Sequence, residues 1–230
     1  MPTLVLTGAS RGLGLEFARQ YAQDGWQVHA ACRNPQGSAI AELAKAHPNI
    51  TLHALDVTDF GRMKALAQEL SSLAIDLLLN NAGIYGKKEV QNFGALDENE
   101  WLSVFRVNTV APIKMTEAFL PLVQKSEGKT IAAVSSEMGS IGDNAMGGAM
   151  LYRTSKAALN MALKNLSLEL AAQGIKVLTL HPGWVRTDMG GQEASLSPDE
   201  SVRGMRKVIA QSTMADSGRF LAWDGRALPW

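Results

Sequence analysis

Short apolar, β-branched runs alternate with helix-period segments along the whole chain, and that alternation leaves few folds open. The runs fall at 3–7, 26–32, 50–55, 75–79, 129–134, 175–181 and 218–223. Between them, the spacing of apolar residues predicts helices over 12–24, 38–46, 59–71, 98–125, 151–173 and 197–211. Strands joined through helices are βαβ units, which pair in parallel. The expectation is therefore one doubly wound α/β domain covering 1–230, since no linker, repeat or low-complexity tract interrupts the pattern. Its ligand belongs at the carboxyl ends of the strands, where such sheets open a crevice.

Charge narrows the class of partner. The 22 basic and 22 acidic residues cancel and neither sign forms a long run, so binding to nucleic acid or an anionic membrane has no electrostatic support. A single Cys32 forms no internal disulfide, and no Cys/His pair has metal-ligand spacing, which fits a reducing, metal-free setting. No apolar segment approaches ~18 residues and the N-terminal stretch lacks a signal pattern. A soluble cytoplasmic protein is expected.

The first crossover carries chemistry. Thr7-Gly8-Ala9-Ser10-Arg11-Gly12-Leu13-Gly14 follows the first strand and opens a helix, so glycines permit a tight turn and an anion at the helix N-terminus. The same residues match the Gly-x-Ser-x-Gly nucleophile elbow of hydrolases, with His181 and Asp143 as conceivable partners. Topology opposes that reading, because an elbow needs an oxyanion loop from an earlier strand and none precedes this one. Arg33, after the second strand, stands where an acidic residue would accept from a ribose 2′-hydroxyl; with Arg11 it favours a 2′-phosphate and hence NADP(H) over NAD(H). Asp56 can accept from an adenine amino group with the Val57 backbone beside it, although Thr58 or Asp59 serves equally as a helix N-cap. Asn80-Asn81-Ala82-Gly83 ends the fourth strand with residues suited to a close ligand. Finally, Tyr152 and Lys156 are four apart on a predicted helix, which puts phenol and ammonium on one face.

Assembled, these motifs resemble the short-chain dehydrogenase/reductase family from Thr3 to about Asp224. The resemblance implies a Rossmann-like sheet in the order 3-2-1-4-5-6-7, with a cofactor part to about residue 135 and a catalytic and substrate part beyond it. It also implies a catalytic group of Asn108, Ser136, Tyr152 and Lys156. Cofactor contacts are implied at Gly8, Ser10, Arg11, Gly12, Leu13 and Gly14, then at Arg33, Asp56 and Val57. Further contacts are implied at Asn81, Ala82 and Gly83, at Tyr152 and Lys156, and at Pro182, Gly183, Val185 and Thr187. The stretches 136–144, 152–160 and 181–191 are similar to the branch holding the C-factor signalling protein and the sniffer-type carbonyl reductases.

In the roles that this resemblance implies, Ser136 and Tyr152 hold a carbonyl oxygen, Tyr152 gives the proton, and Lys156 lowers the tyrosine pKa. Asn108 positions a water. Ser135 is the neighbour most easily confused with Ser136, and Pro112 is expected to kink the long helix near Asn108. Met138, Met146, Met150, Trp184 and Met189 offer an apolar wall, so apolar ketones, aldehydes or quinones are the expected substrates. His29, His47 and His53 are expected to be ordinary strand or surface residues. The family also implies a homodimer, with a tetramer as the larger option, and the tail 227–230 is a candidate to dock at its interface. The C-factor likeness keeps a nucleotide-binding signalling role open as the alternative.

Overall fold

A computed structural model describes residues 1–230. Strands β1 (Thr3–Thr7), β2 (Gln27–Cys32), β3 (Ile50–Ala54), β4 (Leu77–Asn80), β5 (Thr130–Val134), β6 (Lys176–His181) and β7 (Phe220–Ala222) form one parallel sheet. Their order is β3-β2-β1-β4-β5-β6-β7, as expected. Strands β1, β4 and β5 are buried at every position, which is why they read as unbroken apolar runs rather than as alternating ones. The order reverses between β1 and β4, and a crevice opens at their carboxyl ends.

Two apolar layers flank the sheet because successive strand side chains point to opposite faces. Leu4 and Leu6 pack with Phe17 of α1 (Gly12–Gln23), Ile40 of α2 (Ala39–Ala46) and Met205 of α7 (Pro198–Gln211). Val5 and Leu78 pack on the other side with Leu66 of α3 (Phe60–Glu69), Phe119 of α5 (Ala111–Gln124) and Leu163 of α6 (Met150–Glu169). Each such side chain stabilises the fold by roughly 1.5–3 kcal/mol.

The single helix expected over 98–125 is three pieces. Helix α4 (Glu98–Phe105) runs into a π turn at Arg106–Val110, and α5 follows. Within that turn the Ala111 N–H reaches five residues back to the Arg106 carbonyl. Pro112 has no N–H, so the Asn108 carbonyl loses its usual partner four residues on. A widened turn therefore replaces the expected kink, and Asn108 lies fully buried inside it. A second surprise lies on β2 and β3, where His29 Nδ1 and His53 Nε2 stand 3.0 Å apart with stacked rings.

Candidate active site

The first turn is built for a bound anion. Arg11 precedes α1 without capping it through its side chain, and the first turn holds no acidic residue, so N–H groups there are left for another acceptor. Gly14 packs α1 directly on the turn: a Cβ there would lie 2.1 Å from the Gly8 carbonyl oxygen. Gly8, at φ +70, brings the turn against the segment after β4, since its Cβ would meet Ala82 Cα at 2.8 Å. Thr7 Oγ1 accepts from the Asn81 and Ala82 N–H groups, each at 3.1 Å, and Asn81 Nδ2 donates to the Thr7 carbonyl at 3.0 Å. The ends of β1 and β4 are thus tied together.

A cavity of about 780 Å³ opens over this turn, within the range of roughly 300–1,000 Å³ usual for cofactor sites. Gly8, Ser10, Arg11, Gly12, Leu13 and Gly14 form its floor. Arg33, Asp56 and Val57 line it, as do Asn81, Ala82, Gly83, Tyr152, Lys156, Pro182 and Thr187. Two of the expected cofactor contacts do not line it, and neither do Ser136 and Asn108 of the expected catalytic group. Gly183 turns the chain at φ +79, with Leu196 Cδ1 2.4 Å from where a Cβ would be, and Val185 is buried in a bridge to Leu196. Cys32, Ile84, Val107 and Met189 border the cavity without having been expected there as cofactor contacts. They follow or precede motif residues, and only the packing shows which way they point. Of the expected apolar wall, Met189 lines the cavity, whereas Met146 is 90% exposed.

Charges at the rim are arranged unevenly. Arg11 pairs with Asp188 at 3.1 Å, joining the first turn to the segment after β6, so its guanidinium is already engaged. Arg33 is exposed beside Asp56. Asp56 Oδ1 accepts from Thr58 N–H and Oγ1 at 2.8 and 2.7 Å, and these bonds hold the carboxyl below its ordinary pKa. The helix cap is Asp59, which accepts from Arg62 N–H at 2.9 Å. Asp56 thus shapes the chain before α3 while still facing the cavity.

Tyr152 and Lys156 line the cavity, Ser136 is hydrogen-bonded to Tyr152, and Asn108 is buried against Gly83; Ser135 lines the cavity, whereas Ser136 and Asn108 do not. Lys156 Nζ donates to the Val134 carbonyl at 2.9 Å and lies 5.7 Å from the Tyr152 ring centre. Burial pushes Lys156 down to about 8. Burial likewise pushes Tyr152 up to about 12; a hydrogen bond with Ser136 opposes this and nearby Tyr85 adds to it. The lowering expected from Lys156 is not among the causes at work on Tyr152, and the phenol stays protonated at neutral pH. Ser135 is absorbed by structure: its Oγ donates to Asn160 Oδ1 at 2.6 Å. Ser136 Oγ accepts only from the Met138 N–H at 3.2 Å among backbone groups, leaving its own proton to be directed. His181 Nδ1 accepts from the Glu137 N–H at 3.1 Å, and burial holds the ring down to about 4. That neutral imidazole faces Glu137 and so does not serve Ser10 as a hydrolase base.

Two contacts lie outside every motif. Gln91 caps α6 from a separate loop. The Trp230 carbonyl accepts from Ser140 Oγ at 3.3 Å and from the Ile141 and Gly142 N–H groups at 3.1 and 2.8 Å, with its ring stacked on Phe220. The tail 227–230 thus packs on its own chain, beside the segment that follows Ser136.

A family model described as short chain dehydrogenase matches residues 2–196. The chain belongs to the short-chain dehydrogenase/reductase family. Among relatives in that family, C-signal of Myxococcus xanthus is 41% identical over 168 residues, which is 73% of this chain and all of that protein. Two solved members superpose over all of this chain and 99% of their own. They are the carbonyl reductase Sniffer of D. melanogaster, at TM-score 0.92 and 35% identity, and an NADPH-bound carbonyl reductase from chicken fatty liver, at TM-score 0.92 and 37% identity. No helix of this short-chain dehydrogenase is long and apolar enough to cross a membrane.

Proposed function

We propose that this protein is an NADPH-dependent carbonyl reductase acting in the cytoplasm on apolar ketones, aldehydes or quinones. The observation that carries this reading is that Tyr152 and Lys156 line one cavity together with Arg33 and the uncapped N-terminus of α1, with Ser136 hydrogen-bonded to Tyr152. NADPH-bound and NADP-bound relatives of the same fold support the choice of cofactor.

The residues fit the cofactor. The glycine turn and the first N–H groups of α1 suit a pyrophosphate, Arg33 a 2′-phosphate, and Asp56 an adenine amino group. When bound, NADPH supplies hydride. Tyr152, protonated at neutral pH, then gives its proton to the carbonyl oxygen. Ser136 donates a second hydrogen bond to that oxygen. Lys156 sets a positive charge beside the phenol, and Asn108 holds the surrounding backbone in register.

Fluorescence titration with NADPH, followed by a panel of carbonyl compounds under saturating NADPH, tests the reading. Binding without turnover on any member rejects it, and would favour the second reading. That reading, a nucleotide-binding signalling protein with incidental turnover, draws on the likeness to C-signal. We also assign a homodimer through α4, α5 and α6, with a tetramer as the larger option. Exposed Leu102, Met161 and Leu168 support it, and light scattering that gives a monomer at micromolar concentration rejects it.

A further inference from the structure

Gln91 belongs to no motif, yet it is 2% exposed and commits its polar groups to the surroundings of Tyr152. Its carbonyl accepts from the Met150 N–H at 2.8 Å, and its Oε1 accepts from the Tyr152 N–H at 3.2 Å. Helix α6 has no side-chain cap of its own, because Ala149, which precedes it in left-handed backbone at φ 47, carries only a methyl group. Two of its first donors are therefore satisfied from another loop.

The remaining group of Gln91 points to a second tyrosine. Its Nε2 donates to the Tyr85 carbonyl at 2.5 Å, and the Tyr85 ring lies 4.9 Å from the Tyr152 ring, tilted by 32°. Gly86 makes this possible: it sits at φ +85, and a Cβ there would lie 2.8 Å from Val104 Cγ2 and 2.9 Å from Gln91 Nε2. Ile84, on the other side of Tyr85, is fixed by two hydrogen bonds to Asn108. Tyr85 is half-buried where Tyr152 is buried; it lies outside the lining of the 780 Å³ cavity but directly beside Tyr152, which lines it.

We propose that Tyr85 is a specificity residue, an aromatic wall that favours planar aromatic carbonyl compounds over saturated ones of equal ring size. Gln91 is the positioning residue that fastens this wall to α6. The inference rests on the carbonyl-reductase reading and adds a substrate class to it. A flat arene stacks or meets the phenol edge to face, whereas a saturated ring has no matching quadrupole.

The test compares benzaldehyde with cyclohexanecarbaldehyde under saturating NADPH. Because the two differ in intrinsic reactivity, the quantity read is the change that each substitution makes in their kcat/KM ratio. Tyr85→Leu is expected to lower the benzaldehyde preference about 2- to 10-fold, chiefly through a higher KM for benzaldehyde, and Tyr85→Phe to retain it. Gln91→Glu keeps an acceptor for the Tyr152 N–H but has nothing to donate to Tyr85, so the ratio is expected to fall there as well. An unchanged ratio in Tyr85→Leu overturns the wall, and an unchanged ratio in Gln91→Glu overturns the positioning role. Wild-type protein that reduces no carbonyl at all defeats the carbonyl-reductase reading instead, a different result from an active enzyme with a fixed ratio.

Discussion

Asn108 and Ile84 are joined by a closed pair of hydrogen bonds: the Ile84 N–H donates to Asn108 Oδ1 and Asn108 Nδ2 donates to the Ile84 carbonyl, each at 2.8 Å. The π turn is thereby bonded to the segment after β4, where Gly83 lines the cavity. The same Nδ2 reaches Ser155 Oγ at 3.0 Å, one residue from Lys156. Asn108→Ala leaves the Ile84 N–H and carbonyl without partners. Both bonds are part-buried, and at about 0.5–1.5 kcal/mol for each one lost, urea unfolding should show a loss of roughly 1–3 kcal/mol along with reduced turnover. A loss below about 1 kcal/mol contradicts this account.

Adjacent serines should separate cleanly. Ser136→Ala is expected to lower kcat on a carbonyl substrate by roughly 100-fold or more with little change in melting temperature. Ser135→Ala orphans Asn160 Oδ1 in the core, so its main effect belongs in the melting temperature. The reverse pattern would assign the roles the other way. Tyr152→Phe, which removes the acid, should cost about 100- to 10,000-fold in turnover while NADPH still binds.

Arg33 should decide between the two nicotinamide cofactors. Charge-assisted hydrogen bonds to a phosphate are worth about 1.5–3 kcal/mol, so Arg33→Asp should lower kcat/KM for NADPH roughly 10- to 100-fold and leave NADH the same or better. Equal losses with both cofactors would remove Arg33 from the 2′-phosphate site. Arg11, already paired with Asp188, should contribute less than Arg33.

Acid should weaken the fold through His181. Its folded pKa is held near 4, mainly by burial and then by Arg226, against 6.5 for the ordinary side chain. The Glu137 carboxylate, 3.5 Å from Nε2, does not offset that burial. Protonation thus favours the unfolded chain, and stability is lost as pH falls from about 6.5 toward 4. Between pH 7 and pH 5 the loss from this residue is about 2 kcal/mol. Denaturant melts of His181→Asn should show a shallower acid slope than wild type; parallel slopes would discount the residue. His53, also pushed down to about 4 by burial and then by His29, adds a loss of the same sign.

Much of this arrangement is legible in the sequence because local chemistry specifies it. Strand positions, the glycine turn and the spacing of Tyr152 and Lys156 follow from patterns only a few residues long, whereas the strand order is implied by the family resemblance. What sequence leaves open depends on groups far apart in the chain. Gln91 and Tyr152 are 61 positions apart, and nothing about an isolated glutamine announces that it caps a distant helix. The Tyr152 pKa also runs against the sequence expectation, since the i, i+4 spacing shows the nearby cation but not the depth of burial. Thr58 and Asp59 serve equally as a cap in sequence, and only the bonds show that Asp59 caps α3.

The π turn also sets a phase. Each residue advances an α-helix by about 100°, so the widened turn fixes how far α5 is rotated relative to α4. With that offset Met115 and Phe119 face the sheet while Asn108 points at Ile84. Removing one residue between 106 and 110 would turn α5 by about that angle and swing its apolar stripe off the sheet. An alignment that closes this gap to keep the helix regular would therefore misplace every side chain of α5.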